Sequence, residues 1–184
     1  HMNFCSNCGE ATIRRVPEGD NRPRDLCEQC GMIHYQNPKI IAGCVVLDQN
    51  KVLLCKRAIE PRYGLWTLPA GFMENGETVA QAALRETWEE ARATPDLDQL
   101  YVVTSIPRIS QVYMLYLAYL NGSQYDSGPE SLETRLFSIE EIPWDELAFH
   151  TVRDTLIQLK KDLEKGIFSL HCIDREETPT SARV

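Results

Sequence analysis

No run of apolar residues in this chain is long enough to cross a membrane as a helix. The longest, Val112 to Leu120, has nine residues, against about 20 for a spanning helix. No membrane association is expected. A basic surplus is also missing. Lys and Arg number 19 against 27 Asp and Glu, a formal net charge of −8. Proteins that grip a nucleic-acid backbone by displacing counterions normally carry the opposite sign, so a polymeric nucleic acid is not expected as a partner. Small phosphorylated ligands are not excluded, because clustered carboxylates can hold metal ions that in turn hold phosphates. A secretory pattern is missing near the N-terminus, where His1 reads as a tag remnant ahead of Met2. Cysteines number seven, an odd count grouped in pairs, which fits a reducing compartment and a metal site better than a disulfide framework. A cytoplasmic protein is the expectation.

What is present is the composition of a globular protein: 184 residues, 43% hydrophobic and 25% charged, enough for one ordinary core plus a small module. Residues 2–36 hold four cysteines and little apolar periodicity, residues 37–168 carry strand and helix signals, and residues 169–184 read as a C-terminal tail. Lys39–Asp48 and Lys51–Arg57 read as an antiparallel hairpin with Gln49-Asn50 in the turn. Gln99–Ile106, Gln111–Leu120 and Glu133–Ser138 read as further strands, and helices are predicted over 78–91 and 151–165. Strands mixed with few helices indicate an α/β sandwich or an α+β fold.

Cys5-x2-Cys8 and Cys27-x2-Cys30 are separated by 18 residues, the spacing of a four-thiolate zinc ribbon. Gly9 and Gly31 directly follow the second cysteine of each pair and ease the tight turn. Four thiolates fill a tetrahedral shell and leave no position for a reacting water, so Cys5, Cys8, Cys27 and Cys30 are expected to hold structural Zn²⁺. The segment has four arginines (Arg14, Arg15, Arg22, Arg24) against five acids (Glu10, Glu18, Asp20, Asp25, Glu28). That balance favours a folding clip over a nucleic-acid reader. Cys44 and Cys55 lie in strand patterns and read as core residues.

On the first predicted helix, Glu86, Glu89 and Glu90 stand at i, i+3 and i+4, within an arc of about 100°. Ala80, Leu84, Trp88 and Ala91 are expected to form the buried side. Three like charges in the last turns oppose both each other and the helix dipole. A local rule broken in this way points to function, and a hard divalent cation is the simplest compensation.

The surrounding residues, Gly71, Glu77, Arg85, Glu86, Glu89 and Glu90, resemble the signature of the Nudix hydrolase family. That signature is Gly, five residues, Glu, seven residues, Arg-Glu, an aliphatic, any residue, Glu-Glu, any residue, Gly, aliphatic. Here its last glycine is Arg92 and its aliphatic positions are Thr87 and Ala93. The resemblance extends over Tyr35–Pro38, Gly64–Glu77 and Glu140–Trp144, and is similar to a zinc-ribbon bacterial branch related to the plant chloroplast FAD and ADP-ribose pyrophosphohydrolase. It implies an α/β/α sandwich around a mixed sheet, preceded by a zinc ribbon.

It also implies a hydrolase that cleaves the pyrophosphate bond of a nucleoside diphosphate derivative, with FAD or ADP-ribose as first substrates. Glu86, Glu89 and Glu90 would hold Mg²⁺ or Mn²⁺, which places Glu89, Glu90 and Arg85 in the catalytic set. Arg85 would orient a glutamate, Glu77 would support the cluster, and Gly71 would bring backbone close to the metal shell and substrate. Glu133, with Glu130 behind it, is the expected proton acceptor on a mobile loop. Two alternatives remain: an NADH pyrophosphatase, whose Ser-Gln-Pro-Trp-Pro-Phe-Pro motif is replaced by Ser110–Met114, and a nucleotide-sensing module without catalysis. Tyr35, Tyr63, Phe72, Tyr113 and Tyr116 are candidates to stack on a flat ring. The resemblance implies a small nucleotide as partner, and family members are often homodimers, although no segment here marks an interface.

Overall fold

A computed structural model describes residues 1–176, so the second half of the expected C-terminal tail lies outside the described residues. The chain divides into two compact units, His1–Asn37 and Pro38–Val184. No helix among the described residues is long and apolar enough to cross a membrane.

The first unit is a three-stranded antiparallel sheet of β1 (Ile13–Arg15), β2 (Arg24–Leu26) and β3 (Ile33–His34), in that order. Its buried residues are few: Cys5, Pro17, Asp25, Leu26, Cys27 and His34. An apolar core this small cannot offset the chain entropy of some 37 residues without a cross-link.

In the second unit the strands are β4 (Lys39–Asp48), β5 (Lys51–Arg57), β6 (Trp66–Thr67), β7 (Ala70–Phe72), β8 (Asp96–Ile106), β9 (Gln111–Tyr119), β10 (Ser131–Phe137) and β11 (His171–Asp174). The helices are α1 (Val79–Ala91) and α2 (His150–Lys165). The sheet runs β10-β5-β4-β9-β8-β11, with β6 beside β5 and β7 beside β4. Pairings β4/β9 and β8/β11 are parallel and the others antiparallel, so the sheet is mixed.

Side chains alternate along each strand, and both faces of the central strands are covered. Val45, Leu47, Val52, Leu54, Leu115 and Leu117 pack with Val152, Leu156 and Leu159 of α2. Ala42, Cys44, Val46, Leu53, Cys55 and Ala118 pack with Ala82, Ala83 and Ala91 of α1. Each fully buried Leu or Val contributes roughly 1.5–3 kcal/mol, and together they make the α/β/α sandwich the sequence implies. Cys44 and Cys55 are core residues.

Two details differ from expectation. The buried side of α1 is Ala82, Ala83, Thr87, Glu90 and Ala91, while Trp88 is 48% exposed. Short side chains let α1 lie close to the sheet, where Leu84 and Trp88 would not fit; the Thr87 hydroxyl is absorbed by the Ala83 carbonyl at 2.8 Å. The register therefore places Glu90 toward the sheet. The second difference is β11, which forms from residues expected in the tail. Its His171 reaches the buried Asp162 carboxylate at 2.6 Å, a group that also accepts from Tyr101 at 2.6 Å.

Candidate active site

The approach to α1 is built from β7 and a short loop. Thr78 caps the helix: its hydroxyl accepts from the Gln81 N–H at 3.1 Å, and the Gln81 side chain accepts from the Thr78 N–H at 2.8 Å. Such a reciprocal cap is worth about 1 kcal/mol and fixes the phase of the following turns. Those turns present Arg85, Glu86 and Glu89 to a cleft of about 780 Å³.

Arg85 organises the wall. Its Nε and Nη2 donate to Glu77 at 3.0 and 2.7 Å, and its Nη1 donates to Glu86 at 2.7 Å and Glu89 at 3.1 Å. Nη2 also reaches the Phe72 carbonyl at 3.0 Å, which ties α1 to the end of β7. Glu77 accepts the Glu74 N–H at 2.7 Å. The Arg85 bonds, with that N–H, hold the Glu77 carboxyl down at about 2. Gly71 lies against the Glu86 carboxylate, whose atoms stand 2.3–2.5 Å from where a Cβ would be. Any larger residue would push Glu86 aside.

Burial and like charge shape the rest. Glu90 is 8% exposed and accepts from the Ala70 N–H at 3.3 Å. Desolvation, reinforced by the neighbouring Glu86 charge, pushes its carboxyl up to about 8. Glu86 is raised as well, first by burial. A divalent cation would relieve both. The donor set is all hard oxygen, which suits Mg²⁺ or Mn²⁺. The three carboxylates do not converge as a closed cage; Arg85 Nη1 lies between Glu86 and Glu89. Mg²⁺ needs no such cage, since it binds through one or two carboxylates and shares its shell with waters and phosphates.

Of the two expected proton acceptors, the structure brings Glu130 into the cleft, close enough for its charge to raise Glu86 and Glu90. Glu133 is exposed on β10 opposite Lys56 and does not line the cleft. Of the aromatic candidates, Phe72 and Tyr113 line the cleft, whereas Tyr35 sits in the first unit and Tyr63 and Tyr116 lie elsewhere. Sequence reading missed Arg57 and Phe149, which also line it, with the Arg57 guanidinium 5.1 Å from the Phe149 ring centroid. Arg57 ends a strand and Phe149 precedes a helix, positions that carry no motif.

In the first unit, Cys5, Cys8, Cys27 and Cys30 place all four Sγ atoms within 4.8 Å of one another. The Cys5–Cys30 and Cys8–Cys27 sulfurs stand 3.6 and 3.5 Å apart, close to the edge of about 3.8 Å of a tetrahedral shell with Zn–S bonds near 2.3 Å. Among the crowded thiols, Cys30 is drawn down, chiefly by the Met32 backbone N–H, whereas Cys8, despite a backbone bond at Glu10, is pushed up by the neighbouring thiols, Cys27 first.

Comparison with known proteins places these features together elsewhere. Residues 37–159 match the NUDIX domain family, and residues 3–36 match the Nudix N-terminal family. The ADP-ribose pyrophosphatase of Methanocaldococcus jannaschii is 32% identical over 119 residues, covering 62% of this chain and 69% of that protein. The NAD-capped RNA hydrolase NudC of Vibrio atlanticus is 31% identical over 149 residues, covering 77% of this chain and 51% of that protein. The chain thus spans about half the length of this NudC relative. A solved NUDIX hydrolase structure from Nitrosomonas europaea is 53% identical with a TM-score of 0.88, covering 95% of this chain and 100% of that one.

Proposed function

The chain belongs to the Nudix hydrolase family, and from that premise we propose that its cleft cleaves the pyrophosphate bond of a nucleoside diphosphate derivative, with ADP-ribose the first substrate and FAD the second. The observation that carries this reading is the carboxylate wall of Glu86, Glu89 and Glu90, oriented by Arg85 inside a cleft of about 780 Å³. The charge balance supports it. Glu74, Glu86, Glu89, Glu90 and Glu130 line the cleft with Arg57 and Arg85, so a bare cleft would repel phosphate and a loaded one would attract it.

Glu86, Glu89 and Glu90 would hold Mg²⁺ or Mn²⁺. When bound, the cation neutralises charge on the phosphate oxygens and acidifies a water. Arg85 keeps Glu86 and Glu89 in fixed rotamers, and Glu77 balances the far edge of its guanidinium. Glu130, rather than Glu133, is the group placed to take the proton of the attacking water. Arg57, held by its Nε bond to the Pro61 carbonyl at 2.9 Å, brings a guanidinium to the cleft for a phosphate oxygen. Phe72, Phe149 and Tyr113 supply the apolar wall against which a flat ring can lie. Cys5, Cys8, Cys27 and Cys30 hold Zn²⁺ as a folding clip.

The NudC relatives support a second reading, an NAD-capped RNA or a free pyridine dinucleotide as substrate. The net charge of −8 then implies that the cap enters the cleft while the polymer stays outside it. The test is release of mononucleotide from separate pools of ADP-ribose, FAD, NADH and capped RNA, with Mg²⁺ or Mn²⁺, for wild type, Glu89→Gln, Glu130→Gln and Glu133→Gln. Selective cleavage of one pool, abolished in Glu89→Gln, is expected. Glu130→Gln should lower kcat by about 10²–10⁴-fold, the range for loss of a general base, and Glu133→Gln should change it little. Absence of cleavage in every pool with either metal would leave a nucleotide-sensing module as the better reading.

A further inference from the structure

The loop ahead of β10 is not free. Ser131 N–H donates to the Gly128 carbonyl at 3.0 Å, closing a four-residue turn with Pro129 in its second position and Glu130 in its third. Proline fixes its own φ there. The Glu130 carbonyl accepts from the Ala58 N–H at 2.8 Å. Both ends of the turn then converge on one acceptor: the Glu90 carbonyl takes Gly128 N–H at 3.1 Å and the Ser131 hydroxyl at 2.7 Å. Just ahead of the turn, Asp126 N–H donates to the Ala91 carbonyl at 2.9 Å. These are carbonyls that the last turn of a helix leaves without intrahelical partners.

Contact is closest at Gly128. A Cβ there would stand 1.7 Å from the Glu89 carbonyl oxygen, and that atom is helix backbone. Glycine alone lets the turn seat this deeply. The turn carrying Glu130 is therefore mounted on the peptide units of Glu89 and Glu90, whose side chains face the metal position.

We propose that the turn Gly128–Ser131 is a rigid mount that registers the Glu130 carboxylate against the metal-binding wall, and that Ser131 is a positioning residue for Glu130. The inference rests on Glu130 as the proton acceptor. The sequence suggests a mobile loop at this point; the hydrogen bonds instead tie the turn to the end of α1 and would thereby fix Glu130 relative to a cation held by Glu86, Glu89 and Glu90. A misplacement of about 1 Å between reacting groups can cost on the order of 10²-fold in rate, so one anchoring hydroxyl is enough to matter. The Ser131 hydroxyl bonds the Glu90 carbonyl and also lies within reach of the buried Cys55 thiol, and the Glu90 carbonyl keeps the Gly128 N–H when that hydroxyl is removed. The fold should therefore tolerate Ser131→Ala, whereas Gly128→Ala would displace the whole turn.

The experiment uses the full chain with Mg²⁺ and ADP-ribose, and compares wild type, Ser131→Ala, Ser131→Thr, Glu130→Gln and the Ser131→Ala/Glu130→Gln double variant. Ser131→Ala should lower kcat about tenfold or more with KM within about twofold, and Ser131→Thr should restore most of it. In the Glu130→Gln background, Ser131→Ala should add little, because the group it positions is already gone. Mn²⁺ affinity, titrated directly, should be unchanged in Ser131→Ala. If the two effects multiply, or if Ser131→Ala weakens Mn²⁺ binding, Ser131 acts on the Glu90 side chain and the mount is refuted. If Glu130→Gln loses activity while Ser131→Ala does not, only the mount fails. If Glu130→Gln is fully active, the assignment of the base fails and the mount falls with it.

Discussion

At the residue scale, the Glu90 carboxylate is 8% exposed and lies beside Glu86. Its carboxyl is pushed from 4.5 up to about 8, first by burial and then by the Glu86 charge. Folding therefore favours its protonated form. The stabilisation is complete below pH 4.5 and is lost as pH rises through about 8. Without added Mg²⁺ or Mn²⁺, the wild type should become progressively less stable than Glu90→Gln over that window. The difference in Tm should shrink toward acid pH and shrink again when the cation is supplied. Thermal melts of the two proteins at pH 5, 7 and 9, with and without Mg²⁺, measure it. A difference independent of both pH and cation would contradict the assignment of Glu90 to a metal-facing carboxylate.

Arg92 shows how a departure from a motif is absorbed. It takes the signature's final glycine position with φ 47° and ψ 31°, the left-handed conformation, at a cost of about 1–2 kcal/mol for a residue with a Cβ. The cap is otherwise intact: its N–H reaches the Trp88 carbonyl at 2.9 Å. Its guanidinium lies 5.2 Å from the Trp88 ring centroid, which returns roughly 0.5–1 kcal/mol. The exit from α1 keeps the geometry the glycine would have supplied.

At the scale of elements, strand and helix positions were legible because their periods are strong. Lys39–Asp48 and Lys51–Arg57 form as read, and α1 begins where Thr78 can cap it. The buried face of α1 was not legible, since hydrophobicity alone ranks Leu84 and Trp88 above alanine and threonine, while close packing on a sheet selects the smaller residues. β11 was missed because four residues at a sheet edge carry little periodic signal and dock through the tertiary contacts of His171. That Glu130 lines the cleft and Glu133 does not was not legible either, because the turn is seated by bonds to the Glu90 carbonyl, some 40 positions away in sequence. Gly71 is where β7 and α1 meet most tightly. Gly71→Ala should displace the Glu86 carboxylate, with a Cβ contact of 2.3 Å to relieve, and should weaken Mn²⁺ affinity by about 10–100-fold, as for loss of a supporting group around a metal. Its melting temperature should move far less than its Mn²⁺ affinity. Wild-type Mn²⁺ affinity in the variant, read by direct titration, would show that Glu86 is not a ligand.

At the scale of the whole molecule, the two units differ in what holds each together. The second has two apolar layers on one sheet, and its core residues come from every long strand and both helices. The first buries Pro17, Leu26 and two of its four clustered cysteines, which is too little apolar surface for an independent fold. The four clustered thiols are the candidate cross-link, and in small thiolate domains metal binding energy is the folding energy. The protein as purified should carry one equivalent of Zn²⁺. Cys27→Ser, which breaks the cluster at a fully buried ligand, should abolish hydrogen-exchange protection across β1, β2 and β3 while amides of β4, β5 and β9 stay protected, because the second unit's core contains none of the cysteine ligands. Exchange monitored by mass spectrometry, alongside zinc content, separates the cases. Retained protection in the first unit without zinc would mean that the four thiols are not its cross-link, and collapse of protection in both would mean that the second unit does not stand on its own core.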